Sequence, residues 1–167
     1  MQILVDADSC PRAAREMILR FSARLGIKSV FAANHKIPEL KSSELKSSRL
    51  KNPTLETAFM ELCPPGEGAA DRRILELAKS GDLAITRDLP LAEQLVDAGV
   101  TVLDDRGRAF TKENIREYRS IRDFTVGLAD NGLDFDRTPS YGKKDLSSLA
   151  NSLDRELSRL SRTAVRI

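Results

Sequence analysis

Carboxylates recur in this chain where apolar runs end. Asp6 and Asp8 close the run Ile3-Leu4-Val5, Asp88 follows Leu83-Ala84-Ile85-Thr86 with Arg87 between, and Asp104 and Asp105 follow Val100 to Leu103. Asp71 opens a helical stretch and joins them if that helix starts at the same edge. Carboxylates crowded together repel, and some are forced to protonate unless a cation offsets them. Mg²⁺ or Mn²⁺ answers that need, taking oxygen ligands in octahedral geometry, usually one or two carboxylates with waters and substrate phosphate. A pair of such ions can generate hydroxide and steady the leaving oxygen of a phosphodiester.

Convergence of these acids depends on the elements that carry them. Residues 2–6 read as a buried strand, and the helical spacing of Ala14, Met17, Ile18, Phe21 and Leu25 predicts a helix from Pro11 to Leu25, ended by Gly26. Strands follow at 29–33 and 58–62. Asp71 heads a helix carrying Ile74, Leu75, Leu77 and Ala78, which Gly81 stops. Leu83 to Thr86 is a strand, Arg87-Asp88-Leu89-Pro90 repeats the opening pattern of acid and proline-started helix, and Val100 to Leu103 is a fifth strand. Alternation of strand and helix predicts a parallel sheet with helices on both faces, whose strands present their C-terminal ends on one side. Thr111 and Asn114 mark a further helix start, with Ile115, Tyr118, Ile121, Phe124 and Leu128 drifting around that helix up to Gly132. A loop through Pro139 and Gly142 leads to a last amphipathic helix with Leu146, Leu149, Leu153, Leu157 and Leu160 inward.

With 167 residues, 41% of them hydrophobic, the chain has the length of one domain, 1–167, with a helical extension at 111–161. Its segment 36–53 carries a Ser- and Lys-rich five-residue repeat that fits neither helix nor strand, which predicts a mobile surface loop. A net charge of +2 neither requires nor excludes nucleic acid, and the scarcity of aromatic residues argues against a base-stacking platform. Two cysteines, with no apolar leader and no long apolar span, predict free thiols in a reduced, cytoplasmic compartment and no membrane contact. Cys10, His35 and Cys63 each follow a strand, yet their spacings match no zinc motif, so packing is the expected role.

Four segments together resemble a known family: Val5-Asp6-Ala7-Asp8-Ser9-Cys10-Pro11, Gly68-Ala69-Ala70-Asp71, Gly81-Asp82-Leu83-Ala84-Ile85-Thr86-Arg87-Asp88-Leu89-Pro90-Leu91-Ala92, and Thr111-Lys112-Glu113-Asn114-Ile115. They are similar to the YaiI/YqxD family of PIN-like proteins, and the resemblance spans nearly the whole chain. It implies an α/β, three-layer, Rossmann-like PIN fold with a mainly parallel five-stranded sheet of order 3-2-1-4-5. Active PIN proteins are Mg²⁺- or Mn²⁺-dependent ribonucleases, so the resemblance implies single-stranded RNA as partner. By the same resemblance Asp6 matches the acid ending the first PIN strand, Asp71 the acid at a helix start, and Asp88 the acid of the Thr-Arg-Asp segment, with Asp8 the family's own second acid. These four are the expected catalytic and metal-binding residues, and Arg87 and Asn34 the expected substrate contacts. Three departures stand out. The glutamate many PIN nucleases carry on a middle helix has no clear counterpart, the loop from Lys36 to Pro53 is longer than the family norm, and Asp104-Asp105 replaces the Asn-Pro the family tends to have, so that pair is not taken as ligands.

Two other readings compete with a nuclease. Asp6-x-Asp8 after a strand suggests a haloacid-dehalogenase-type phosphatase, but Gly81-Asp82 precedes its strand and puts Asp82 at the wrong edge, where a turn role is expected. A PIN-like module that binds metal or nucleic acid without turnover is the other. Arg116, Arg119 and Arg122, spaced along one helix, are expected to pair locally with Glu113, Glu117 or Asp123.

Overall fold

Ile3–Asp6 is buried at every position, as a strand covered by helices on both sides must be. It is β1, at the centre of the sheet in the computed structural model, which describes residues 1–40, 57–130 and 140–164. Ser29–Ala33 (β2), Ala58–Leu62 (β3), Leu83–Ile85 (β4) and Thr101–Leu103 (β5) join it in the order β3-β2-β1-β4-β5, all in parallel. The sheet has a sixth strand beyond the expected five: Ala109–Phe110 (β6) turns back antiparallel along β5. Two residues carry too little pattern to announce a strand; the turn from Asp104 to Arg108 creates it.

Successive residues of β1 feed two cores. Ile3 and Val5 pack with Ala14, Ile18 and Phe21 of Arg12–Leu25 (α1) and with Leu149, Leu153, Leu157 and Leu160 of Lys143–Ala164 (α5). Leu4 packs on the other face with Ile74 of Ala69–Leu77 (α2), Leu91 and Leu95 of Leu89–Asp97 (α3), and Ile115, the first residue of Ile115–Asp130 (α4). Three layers result, as the alternating pattern requires. Pro11 precedes α1 in an extended conformation rather than opening it.

Several expectations shift. Within the predicted loop, Ile37 is buried against the α1 face of the sheet and Pro38–Leu40 forms a 3-10 turn; residues 41–53 of that segment, like Gly132 and Pro139, lie outside the described residues. The base of α4 is packed into the core. Ile115 is buried and Tyr118 meets Phe110 edge-on at 5.8 Å, whereas Ile121, Phe124 and Val126 are exposed. Its start is fixed as the sequence suggested: Thr111 N donates to Asn114 Oδ1 and Asn114 N to Thr111 Oγ1.

Candidate functional site

Sheet order places the site. β1 sends its connections to β2 on one side and lies against β4 on the other, so the crevice beyond the C-terminal ends of β1 and β4 is the switch point where ligands bind in open α/β sheets. Register pairs Val5 with Ile85 and Asp6 with Ala32, which leaves Asp6 and Thr86 side by side as the two strands end. A cleft of about 920 Å³ opens there, and Asp6, Asp8, Asn34, Asp71, Arg87 and Asp88 all line it. All six residues expected to act on metal or substrate are therefore brought to one place, from four different segments of the chain.

Each acid is held differently. Asp6 is buried, and its Oδ2 accepts hydrogen bonds from Ser9 Oγ at 2.6 Å and Thr86 Oγ1 at 3.0 Å. Thr86 Oγ1 also accepts from Asp88 N at 3.0 Å, so one hydroxyl ties the two strand ends together. Asp88 caps α3 through Oδ1, which accepts from Leu91 N at 2.7 Å. Asp8 sits at the rim, its Oδ2 accepting from Asn34 N at 2.9 Å and its Oδ1 2.8 Å from His35 Nδ1. Among the described residues, Asp6 and Asp88 each keep one oxygen free of hydrogen bonds. Asp71 caps nothing: Gly68, in a left-handed conformation, precedes α2 without a side-chain cap, and Asp71 lies in the first turn.

The electrostatics record the crowding. Burial first, then the charges of Asp6, Asp88 and Asp8, push the Asp71 carboxyl above its ordinary range. A carboxyl whose pKa is raised by folding favours the fold below its unfolded pKa, and that contribution is lost as pH rises through the folded value. At neutral pH an ionised Asp71 therefore works against the metal-free fold. Asp71→Asn is expected to raise the melting midpoint in chelator at pH 7 by about 2–4 °C, the shift that ~1 kcal/mol produces in a chain of this size, and to bring no gain at pH 3. Equal effects at both pH values, measured by thermal unfolding, would contradict the crowding.

Whether these residues suit a divalent cation follows from the donors themselves. They are all oxygens, and the raised Asp71 reflects burial first and then the negative charge of its neighbours, which a cation offsets. Among the described residues no three His, Cys, Asp or Glu side chains are gathered into an enclosing group. Mg²⁺ asks for less, one or two carboxylates with the remaining positions taken by water and phosphate. The donor set fits it on those terms.

The other acids are elsewhere. Asp82 bonds Gln2 and Lys79 at the opposite edge, so the haloacid-dehalogenase arrangement is not assembled. Asp104 closes its own turn, its Oδ1 accepting from Arg106 N and Arg108 N. Asp105 is buried behind the cleft with Arg87 Nε 3.6 Å from its Oδ1 and no hydrogen-bond partner for Oδ2 among the described residues. Burial raises its pKa and Arg87 lowers it; the pair holds the Arg87 guanidinium beside four acids without pairing it to any of them. Burial, followed by the charge of Asp105, pushes the Cys10 thiol up to about 12. Cys10 and Cys63 are free and buried in the two different cores, with the sheet between them, and His35 serves Asp8, so no soft-metal site forms from the three.

Three cleft residues and one behind them, Thr86, escape a sequence reading. Ser9 and Thr86 orient Asp6. Glu67 lines the cleft just before α2, adding a fifth carboxylate from a turn rather than from a middle helix; its place four residues ahead of Asp71 was the available signal. Arg122 also lines the cleft, and among the described residues it has no ion-pair partner. Its neighbour Arg119 pairs with Glu93 of α3, not with a residue of its own helix. The expectation of local pairing along α4 is corrected at both positions, because α4 lies against α3 and its arginines reach outward from the helix.

The family described as "Uncharacterized BCR, YaiI/YqxD family" matches residues 4–159. The chain is similar to a UPF0178 protein of Treponema pallidum, 41% identical over 166 residues that cover 99% of this chain and 86% of that one. A UPF0178 protein of Treponema denticola is 43% identical over 154 residues, covering 92% and 90%, and one of Myxococcus xanthus is 40% identical over 167 residues, covering 98% of each. No solved structure matches. Among the described residues no helix is long and apolar enough to cross a membrane.

Proposed function

The chain belongs to the YaiI/YqxD family, and we propose that it is a divalent-metal-dependent nuclease that hydrolyses RNA phosphodiesters in the acidic cleft. The observation that carries this reading is the meeting of Asp6, Asp8, Asp71 and Asp88 at the switch point, where burial and then the charges of the other three raise the Asp71 carboxyl. Four acids in one cleft repel a phosphate on their own. Bound Mg²⁺ or Mn²⁺ would reverse that field, polarise a phosphoryl oxygen and acidify a water.

The protein's own groups do the rest. One or two of the Asp6, Asp71 and Asp88 carboxylates would hold the cation, with water and phosphate in its other positions; Asp6 and Asp88 are oriented by their links to Thr86 and the α3 backbone. Asp8, fixed by Asn34 and His35 at the rim, is placed to take a proton from an entering water or to add a metal contact. Arg87, positioned by Asp105, offers a cation to a non-bridging phosphate oxygen. Because this arrangement demands no base recognition, the reading implies cleavage of single strands with little sequence preference.

Single-stranded RNA incubated with the protein is expected to be cut in Mg²⁺ or Mn²⁺ and left intact in EDTA. A metal-binding module without turnover is the second reading, favoured by the lack of an enclosing three-ligand group and of the middle-helix glutamate. Retarded but uncut RNA in Mn²⁺ would select it; cleavage that persists in EDTA would contradict both.

A further inference from the structure

Next to the acidic cleft lies a second groove of about 520 Å³, between the start of α3 and the exposed part of α4. Both volumes fall in the range of about 300–1,000 Å³ typical of ligand sites. The groove and the cleft share two lining residues, Asp88 and Arg122. Asp88 is an acid of the cleft. Arg122 is therefore the only cation at the boundary, and it is exposed and free of carboxylate partners among the described residues.

Beyond Arg122 the groove changes character. Pro90 and Val126 give it apolar walls, and Arg119 is neutralised by Glu93. Asp123 lines the groove but not the cleft. A ligand running out of the cleft thus meets Arg122, with Asp88 and Asp123 in the same groove, and the apolar groups of Leu89, Pro90 and Val126. A phosphate with its sugar and base suits Arg122 and those apolar groups.

We infer that this groove is a second phosphate subsite, in which Arg122 binds the phosphate adjacent to the scissile one and Pro90 and Val126 receive the nucleoside attached to it. The inference rests on the nuclease reading for the occupant of the cleft. It makes Arg122 a positioning residue and a strand, rather than a mononucleotide, the preferred substrate.

The test compares wild type, Arg122→Gln and Arg122→Lys on a labelled single-stranded RNA decamer and on a dinucleotide, with affinity measured in Ca²⁺ and cleavage in Mg²⁺. Losing one phosphate contact is expected to weaken decamer binding about tenfold and to reduce the slope of log affinity against log salt by about 0.7. The rise should fall on KM more than on kcat, be smaller for the dinucleotide, and be partly restored by lysine. Arg122 is exposed, so folding is not at stake. If Arg122→Gln binds the decamer as wild type does, the subsite is wrong while the nuclease reading stands. A dinucleotide weakened as much as the decamer also overturns it, since Arg122 would then serve the cleft. Should no RNA be cut by any of the proteins yet the affinities differ as described, the nuclease reading fails and the groove remains.

Discussion

Asp88→Asn is expected to abolish metal-dependent cleavage while leaving the protein folded. Asp88 has two jobs, one on each side of its carboxylate. Its Oδ1 caps α3 at Leu91 N, and asparagine caps a helix as well as aspartate does. The lost quantity is the negative charge facing the cleft. If that charge helps hold a catalytic cation, several kcal/mol of transition-state stabilisation goes with it, which corresponds to a fall in kcat/KM of at least about a hundredfold. Asp88→Ala should lose as much activity and in addition about 1 kcal/mol of stability, because the cap disappears as well. Measured side by side, kinetics and denaturant unfolding separate the two jobs. Full activity in Asp88→Asn would show that the cap is the only role.

The largest loss of stability is expected far from the acids, at Gly107→Ala. Gly107 has φ +81° and lies under α5, where an added Cβ would stand 2.6 Å from Ser148 O and 2.8 Å from Leu149 N. Those are backbone atoms inside a helix, which cannot rotate aside. The left-handed conformation costs a residue with a side chain about 1–2 kcal/mol, and overpacking adds about 1–3. A total of roughly 3 kcal/mol lowers the melting midpoint by about 6–12 °C. The consequence reaches the site: Ser152 Oγ donates to Gly107 O, Arg106 pairs with Asp145, and Tyr141 OH donates to Asp105 O. Displacing α5 therefore loosens the Asp105 that positions Arg87. Thermal unfolding within 1 °C of wild type would mean that α5 does not sit as close to the turn as described.

The parts of the fold that repeat a period were legible from the residues. Leu149, Leu153, Leu157 and Leu160 line one side of α5 because their spacing allows nothing else, and the apolar run of β1 could only be a central strand. The acids of the site were legible for the same reason, since each ends an element and parallel strands end together. What escaped had no period. β6 is two residues long and exists because Asp104 folds the chain back. Asp71 stood at the head of its helix in the sequence, and only the position of Gly68 shows that the helix begins earlier. Asp105 was as well placed in sequence as Asp88, but it lies inside the turn from Asp104 to Arg108, buried against Arg87. Arg119 had an acid at helical spacing on its own helix, Asp123, yet packing of α4 on α3 brought Glu93 to it, while Arg122 lines the cleft. Local spacing bounds which pairs can form, and tertiary packing chooses among them.

The central claim is that the acidic cleft lined by Asp6, Asp8, Asp71 and Asp88 takes up a divalent cation, and Mn²⁺ binding tests it directly. Free Mn²⁺ followed by electron paramagnetic resonance during titration at neutral pH should show uptake by the wild-type protein. The same uptake is expected in Asp97→Asn, which removes a surface carboxylate paired only with Lys112. Affinity should fall at least about tenfold in Asp88→Asn and in Asp71→Asn. Uptake that is absent from wild type, or unchanged in both cleft variants, would contradict the account.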